Sequence, residues 1–175
     1  MTMTLVVLGI AMLVTVGFTG LCSFNPGKPE NGPVREVDSA SFLQMEAQRA
    51  DYSVREPETP QGWQPNSVRA GMADGHITTI LGFVTANGDY VHALQTAAPL
   101  DSLPADGKAR VDDGTVDVDG VTWVKKEGVE PNTRRTWVAD LGDSRVLLEG
   151  SANDDEYREL AKAMQDAPIV EKHTN

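Results

Sequence analysis

ITTILGFVTANGDYVHAL, residues 77–94, decides the fold. Two apolar runs, Ile77 to Val84 and Tyr90 to Leu94, flank Ala86, Asn87 and Gly88. Asn-Gly between strand-like runs predicts a hairpin, because both residues tolerate the positive φ of a tight turn. TVDVDGVTWVKK (115–126) repeats the pattern, with Val116, Val118, Val121 and Trp123 around Asp119-Gly120. RRTWVADLGDSRVLLEG (134–150) repeats it again, with Gly142-Asp143 at the turn. Three hairpins predict an antiparallel sheet of about six strands.

A helix is expected on each side of these hairpins. In VDSASFLQMEAQRA (37–50), Asp38 or Ser39 can cap, and Phe42, Leu43, Met45 and Ala50 supply an apolar side. In ANDDEYRELAKAMQDAP (152–168), Asn153 is the cap, acidic residues fill the first turn, and Tyr157, Leu160, Ala161 and Met164 form one apolar face. The intervening EPETPQGWQPNS (56–67) reads as turn-rich loop. The expected fold is α+β, an antiparallel sheet with helices packed on it. A pseudo-repeat also shows: Phe83-Val84, Gly88-Asp89, Val91 and Leu94 match Trp137-Val138, Gly142-Asp143, Val146 and Leu148.

Before the domain, residues 4–24, TLVVLGIAMLVTVGFTGLCSF, carry no charge, and no charged side chain precedes Lys28. As a helix this run spans about 30 Å, the hydrocarbon thickness of a bilayer. It is apolar all round, unlike a globular surface helix, and longer than a signal-peptide core. A single transmembrane anchor is therefore expected over 1–24, held to the bilayer by residues 4–24. Gly17 and Gly20 would let a second helix approach it closely. Bulky Leu21 stands where a lipoprotein signal has a small residue, which disfavours lipidation of Cys22. No Lys or Arg precedes the run, so the native start is expected upstream of Met1. The remaining boundaries are a Pro/Gly-rich stalk over 25–37, the α+β domain over 38–168 and a polar tail over 169–175.

The 175-residue chain has a formal charge of −11, all of it outside the apolar run, which disfavours nucleic acid as a partner. Its single cysteine, Cys22, excludes an intrachain disulfide.

Motifs for chemistry are absent. His76, His92 and His173 are scattered, and Asp112, Asp113, Asp117 and Asp119 lack the spacing of a calcium loop. Ser151 lacks the second glycine of a nucleophile elbow, and no phosphate loop is present. The sequence nominates no catalytic, cofactor-binding or metal-binding residue, and a noncatalytic protein is expected. A pocket where His92 meets a carboxylate and a hydroxyl would reopen the enzymatic reading. Trp123 and Trp137 sit inside strands and belong to the core. Trp63, in a proline-bounded loop, either packs or reaches a partner, with packing favoured two to one. Arg134 and Arg135 form an adjacent basic pair in the acidic domain and suit a partner's carboxylates.

GFTGLCSFNPG at the end of the apolar run, PQGWQPNSVR, VDGVTWVKK and the closing W-V-x-x-x-G-D segment with its final helix carry a resemblance over nearly the whole chain. It resembles an actinobacterial family of unknown function: short proteins with an N-terminal anchor and a domain outside the cytoplasm. The resemblance implies that location and no activity. The expected role is that of an accessory or scaffold subunit of a membrane or cell-envelope complex. The alternative is a module binding a small apolar or envelope ligand between sheet and helices.

Overall fold

The computed structural model describes residues 39–172, with Val6 alone before them. Residues 4–24, including Gly17, Gly20 and Cys22, and the stalk at 25–37 lie outside the described residues apart from Val6. No helix among the described residues is long and apolar enough to cross a membrane.

The fold is α+β. Helix α1 spans Ser39–Arg49, strands β1 to β7 span Gln64–Ala73, His76–Val84, Tyr90–Thr96, Arg110–Val118, Val121–Gly128, Thr136–Asp140 and Arg145–Gly150, and helix α2 spans Asp154–Asp166. All seven strands form one antiparallel sheet in the order β1-β2-β3-β7-β6-β5-β4. The three predicted hairpins form, with positive φ at Gly88, Gly120 and Gly142. The seventh strand, β1, was not expected. It runs through Gln64-Pro65-Asn66-Ser67, read above as loop, and turns into β2 at Asp74-Gly75, both at positive φ. As an edge strand with a bulge between Pro65 and Ser67 it is largely exposed, so its sequence carries no alternation.

One sheet face holds the main core. Leu81, Phe83, Val91, Ala93, Val146, Leu148, Trp137, Ala139 and Trp123 meet Tyr157, Leu160, Ala161 and Met164 of α2 and Leu43 and Ala47 of α1. All four expected α2 residues are buried. Asn153 accepts from the Asp155 and Glu156 amides while the Glu156 carboxylate takes the Asn153 amide, a complete capping box. The expected face of α1 is corrected: Met45 is exposed, and the buried stripe is Leu43, Glu46, Ala47 and the following Ala50. These lie at i, i+3, i+4 and i+7, so helical phase overrides side-chain polarity and buries Glu46.

The pseudo-repeat holds in part. Phe83 and Trp137, then Val91 and Val146, occupy equivalent places facing the main core, but Leu94 faces away from the helices while Leu148 faces them. A three-residue step in one strand and a two-residue step in the other reverse the side-chain direction. The tail boundary also moves. Ile169 bridges Arg55, the Val170 amide donates to Val54, and Lys172 Nζ donates to the Ala50 carbonyl, so 169–172 are part of the domain.

Candidate functional site

The face of the sheet turned away from the helices carries two rows of opposite character. In register across all seven strands lie Ser67, Gly82, His92, Glu149, Thr136, Lys126 and Asp112. The next row is Arg69, Ile80, Leu94, Leu147, Val138, Val124 and Thr115. Antiparallel pairing places such residues side by side, so a polar stripe runs beside an apolar one.

The segment between β3 and β4 covers the apolar row, seating Leu100 and Leu103 on Leu94, Leu147 and Val138. Polar contacts fasten it. Lys126 Nζ donates to the Leu103 carbonyl at 3.0 Å, and the Arg110 guanidinium grips both Asp106 carboxylate oxygens at 2.8 and 2.9 Å. Arg110 also reaches Glu149 at 3.5 Å and donates to the Arg134 carbonyl at 2.9 Å. Burial pushes the Asp106 pKa up, but the Arg110 hydrogen bond and the Lys108 amide outweigh it and hold the carboxyl below its ordinary value. Burial raises the Glu149 pKa against the pull of Arg110. Between this segment and the sheet, His92, Leu94, Asp106 and Glu149 line a cavity of about 110 Å³.

At the β1–β3 end of the polar row Ser67 and His92 are half-buried and Gly82 is buried. The His92 Nδ1 atom is buried there without a hydrogen-bond partner. Its ring lies 6.0 Å from that of Tyr90, and the Arg134 guanidinium lies 5.8 Å from the Tyr90 centroid. Burial first, then the charges of Arg69 and Arg134, lowers the His92 pKa to about 4, so the ring is neutral at ordinary pH. The carboxylate and hydroxyl named as the condition for a catalytic histidine are neighbours: Glu149 is its register partner and Tyr90 its ring neighbour. Glu149 is engaged by Arg110 and His92 Nδ1 bonds to nothing, so no base and orienting group are hydrogen-bonded here.

The other sequence-selected residues are placed as follows. Trp63 is buried, edge-on to Phe83 at 6.3 Å. Trp123 and Trp137 are core residues. Arg135 is spent internally: it bonds Asp154 and the Ala152 carbonyl and stacks 4.9 Å from the Tyr157 centroid. Arg134 is exposed and holds no carboxylate. Asp113 pairs with Lys125, Asp117 accepts from the Gly120 amide and Asp119 pairs with Lys162, which disperses the acidic group. No cluster of three or more metal-ligating side chains exists among the described residues. Ser151 accepts the Tyr90 amide and donates to Asp89. Arg69, Tyr90 and Ser67 escaped sequence reasoning because their convergence depends on the unexpected strand β1.

A concavity of about 630 Å³ opens between residues 58–61 and α2 and is lined by Glu58, Glu159 and Asp166 with Lys162. Its one lysine is already held by Asp119 and Asp166. No set of free groups converges there.

The chain belongs to the family described as protein of unknown function (DUF4245), which matches residues 1–164. No curated protein and no solved structure matches it.

Proposed function

We propose that this chain is a noncatalytic accessory or scaffold subunit of a membrane or cell-envelope complex. A single-pass anchor at residues 4–24 holds it to the membrane, with the domain outside the cytoplasm of an actinobacterial cell. The observation carrying this reading is the contrast between the two sheet faces. The helix side is filled by Trp123, Trp137, Tyr157, Leu160 and Met164, each under 2% exposed, whereas the other face is only partly covered. On that face an open groove of about 380 Å³ is lined by Leu100, Val124, Lys126 and Val138. At this end of the sheet Val111 of the outer strand β4 and Val129, just after β5, are 56% and 59% exposed; by strand alternation Val111 projects from the face opposite the groove. Among the described residues β4 pairs only with β5, so its outer edge offers free backbone groups to an added strand. Arg134 remains a candidate contact on this face, whereas Trp63 and Arg135 are used within the domain.

An apolar ligand between sheet and helices is the weaker reading. The apolar cavity there, lined by Leu43, Pro57, Val68, Leu81 and Phe83, is about 120 Å³. Small-molecule sites run from roughly 300 Å³ upward.

The test is gentle detergent extraction of the tagged full-length protein from its native membrane, with mass spectrometry of what copurifies and the anchor segment alone as control. Stoichiometric recovery of one membrane complex is expected, and Val111→Asp combined with Val129→Asp should release it. Recovery of the protein alone would sink the accessory-subunit reading.

A further inference from the structure

We propose that the β1–β3 end of the second sheet face is a binding site for a phosphate group, formed by Ser67, Arg69, Tyr90, His92 and Arg134. This goes beyond the docking role above and holds whether or not a protein partner engages the β4 edge.

The site gathers donors, two guanidiniums, two hydroxyls and an imidazole, with the Glu149 carboxylate in register beside His92. The Ser67 and Tyr90 hydroxyls converge over Gly82, where an added Cβ would lie 2.5 Å from one and 2.6 Å from the other. Glycine at this position is what allows both hydroxyls to come down onto the sheet. His92 sits opposite Gly82 in register, with its Nδ1 buried and unpartnered. Arg69 stands two residues from Ser67 on the same face of β1, and Arg134 reaches across from the segment before β6 onto the Tyr90 ring.

The charge pattern singles this place out. In a chain of net charge −11, Arg49, Arg55, Arg110, Arg135 and Arg145 each hold a carboxylate. Among the described residues Arg69, Arg134 and Arg158 hold none; Arg158 lies over the Trp137 ring, whereas Arg69 and Arg134 both sit close enough to His92 to oppose its protonation. An anion placed between the two guanidiniums would be attracted by both. Glu149, the nearest carboxylate in register, is engaged by Arg110. Two guanidiniums offer charge and forked donors suited to an oxyanion, and the two hydroxyls and one imidazole add three neutral donors. A carboxylate has two oxygens to satisfy, whereas phosphate has more oxygens and carries up to two charges, which matches both the donor set and the two arginines.

The source of the group is either free phosphate or a lipid headgroup, and one experiment separates them. Only three histidines exist, so full-length protein labelled at histidine gives three ring signals, with His92 identified by its loss in His92→Gln. In phosphate-free detergent micelles at pH 7.5, inorganic phosphate should shift the His92 signal saturably, leave the other two unmoved, and raise the His92 pKa from about 4. Arg69→Gln combined with Arg134→Gln should weaken the response at least tenfold, while an unchanged thermal midpoint shows that the variant is folded. A His92 shift in phosphatidylglycerol nanodiscs, absent with inorganic phosphate, would identify the lipid headgroup as the source. No shift in either medium would overturn the proposal, as would an equal response to acetate or an undiminished response in the double variant. Copurification of a protein partner is read separately, so failure here leaves that reading standing.

Discussion

Lowering the pH from 8 to 4.5 should destabilise the domain through His92, and replacing that residue should remove the effect. The ring titrates at about 4 in the folded chain against 6.5 for an ordinary histidine, mainly because burial disfavours its charged form. The unfolded chain therefore binds the proton first as pH falls. Stability from this residue is fully present above pH 6.5 and is lost progressively down to about pH 4. Integrating between the two values gives a loss of about 1 kcal/mol at pH 5.5 and roughly 2–3 kcal/mol at pH 4.5. At roughly 3 °C per kcal/mol for a domain of this size, the midpoint should fall by a few degrees at pH 5.5. The three tryptophans, Trp63, Trp123 and Trp137, are all buried, so their fluorescence follows unfolding of the domain. Thermal and urea melts in phosphate-free buffer, run in parallel on the wild type and His92→Gln, isolate the residue. Glu149, whose raised pKa acts with the opposite sign, is common to both proteins. A difference between the two that stays flat within about half a kcal/mol from pH 8 to 4.5 would refute the reasoning.

Trp123→Phe should cost about 1–2 kcal/mol more than Trp137→Phe in urea unfolding. The Trp123 Nε1 donates to Gln165 at 2.9 Å, whereas the Trp137 Nε1 is buried with no partner to lose. Gly150→Ala should destabilise by about 3 kcal/mol, since its Cβ would fall on the Tyr90 carbonyl oxygen and 2.6 Å from the Val91 Cα at the β3–β7 junction. Calorimetry that finds this variant as stable as the wild type would contradict the pairing of those strands. Asn153→Ala breaks the capping box and should cost about 1 kcal/mol, visible as a lower midpoint with the fold retained by circular dichroism.

Hairpins and the second helix were legible because their signals are local. Asn87-Gly88, Asp119-Gly120 and Gly142 fix turns through the φ their own residues tolerate. Asn153 and the Tyr157, Leu160, Ala161 and Met164 stripe fix α2 in the same way. Strand β1 was missed although Asp74-Gly75 offered the same turn dipeptide as Asp119-Gly120. Pro65, Asn66 and Gly71 argue against a strand locally, and β1 exists because β2 supplies its partner. The candidate site depended on that strand. Arg134 stood out in sequence as half of a basic pair, but nothing local distinguished it from Arg135, which the start of α2 consumes.

By itself, then, the sequence determined the antiparallel hairpins, the α+β class, the cap and apolar face of α2, the acidic charge and the placement of Trp123 and Trp137 in the core. Each follows from turn chemistry, periodicity or composition within a short window. Tertiary structure alone decided that β3 and β7 join the two meanders and that Glu46 is buried while Met45 is exposed. It also decided that Ser67, Arg69, Tyr90, His92 and Arg134 meet on one face. Those five residues span 68 positions of the chain, and register between strands, which no short window contains, is what brings them together.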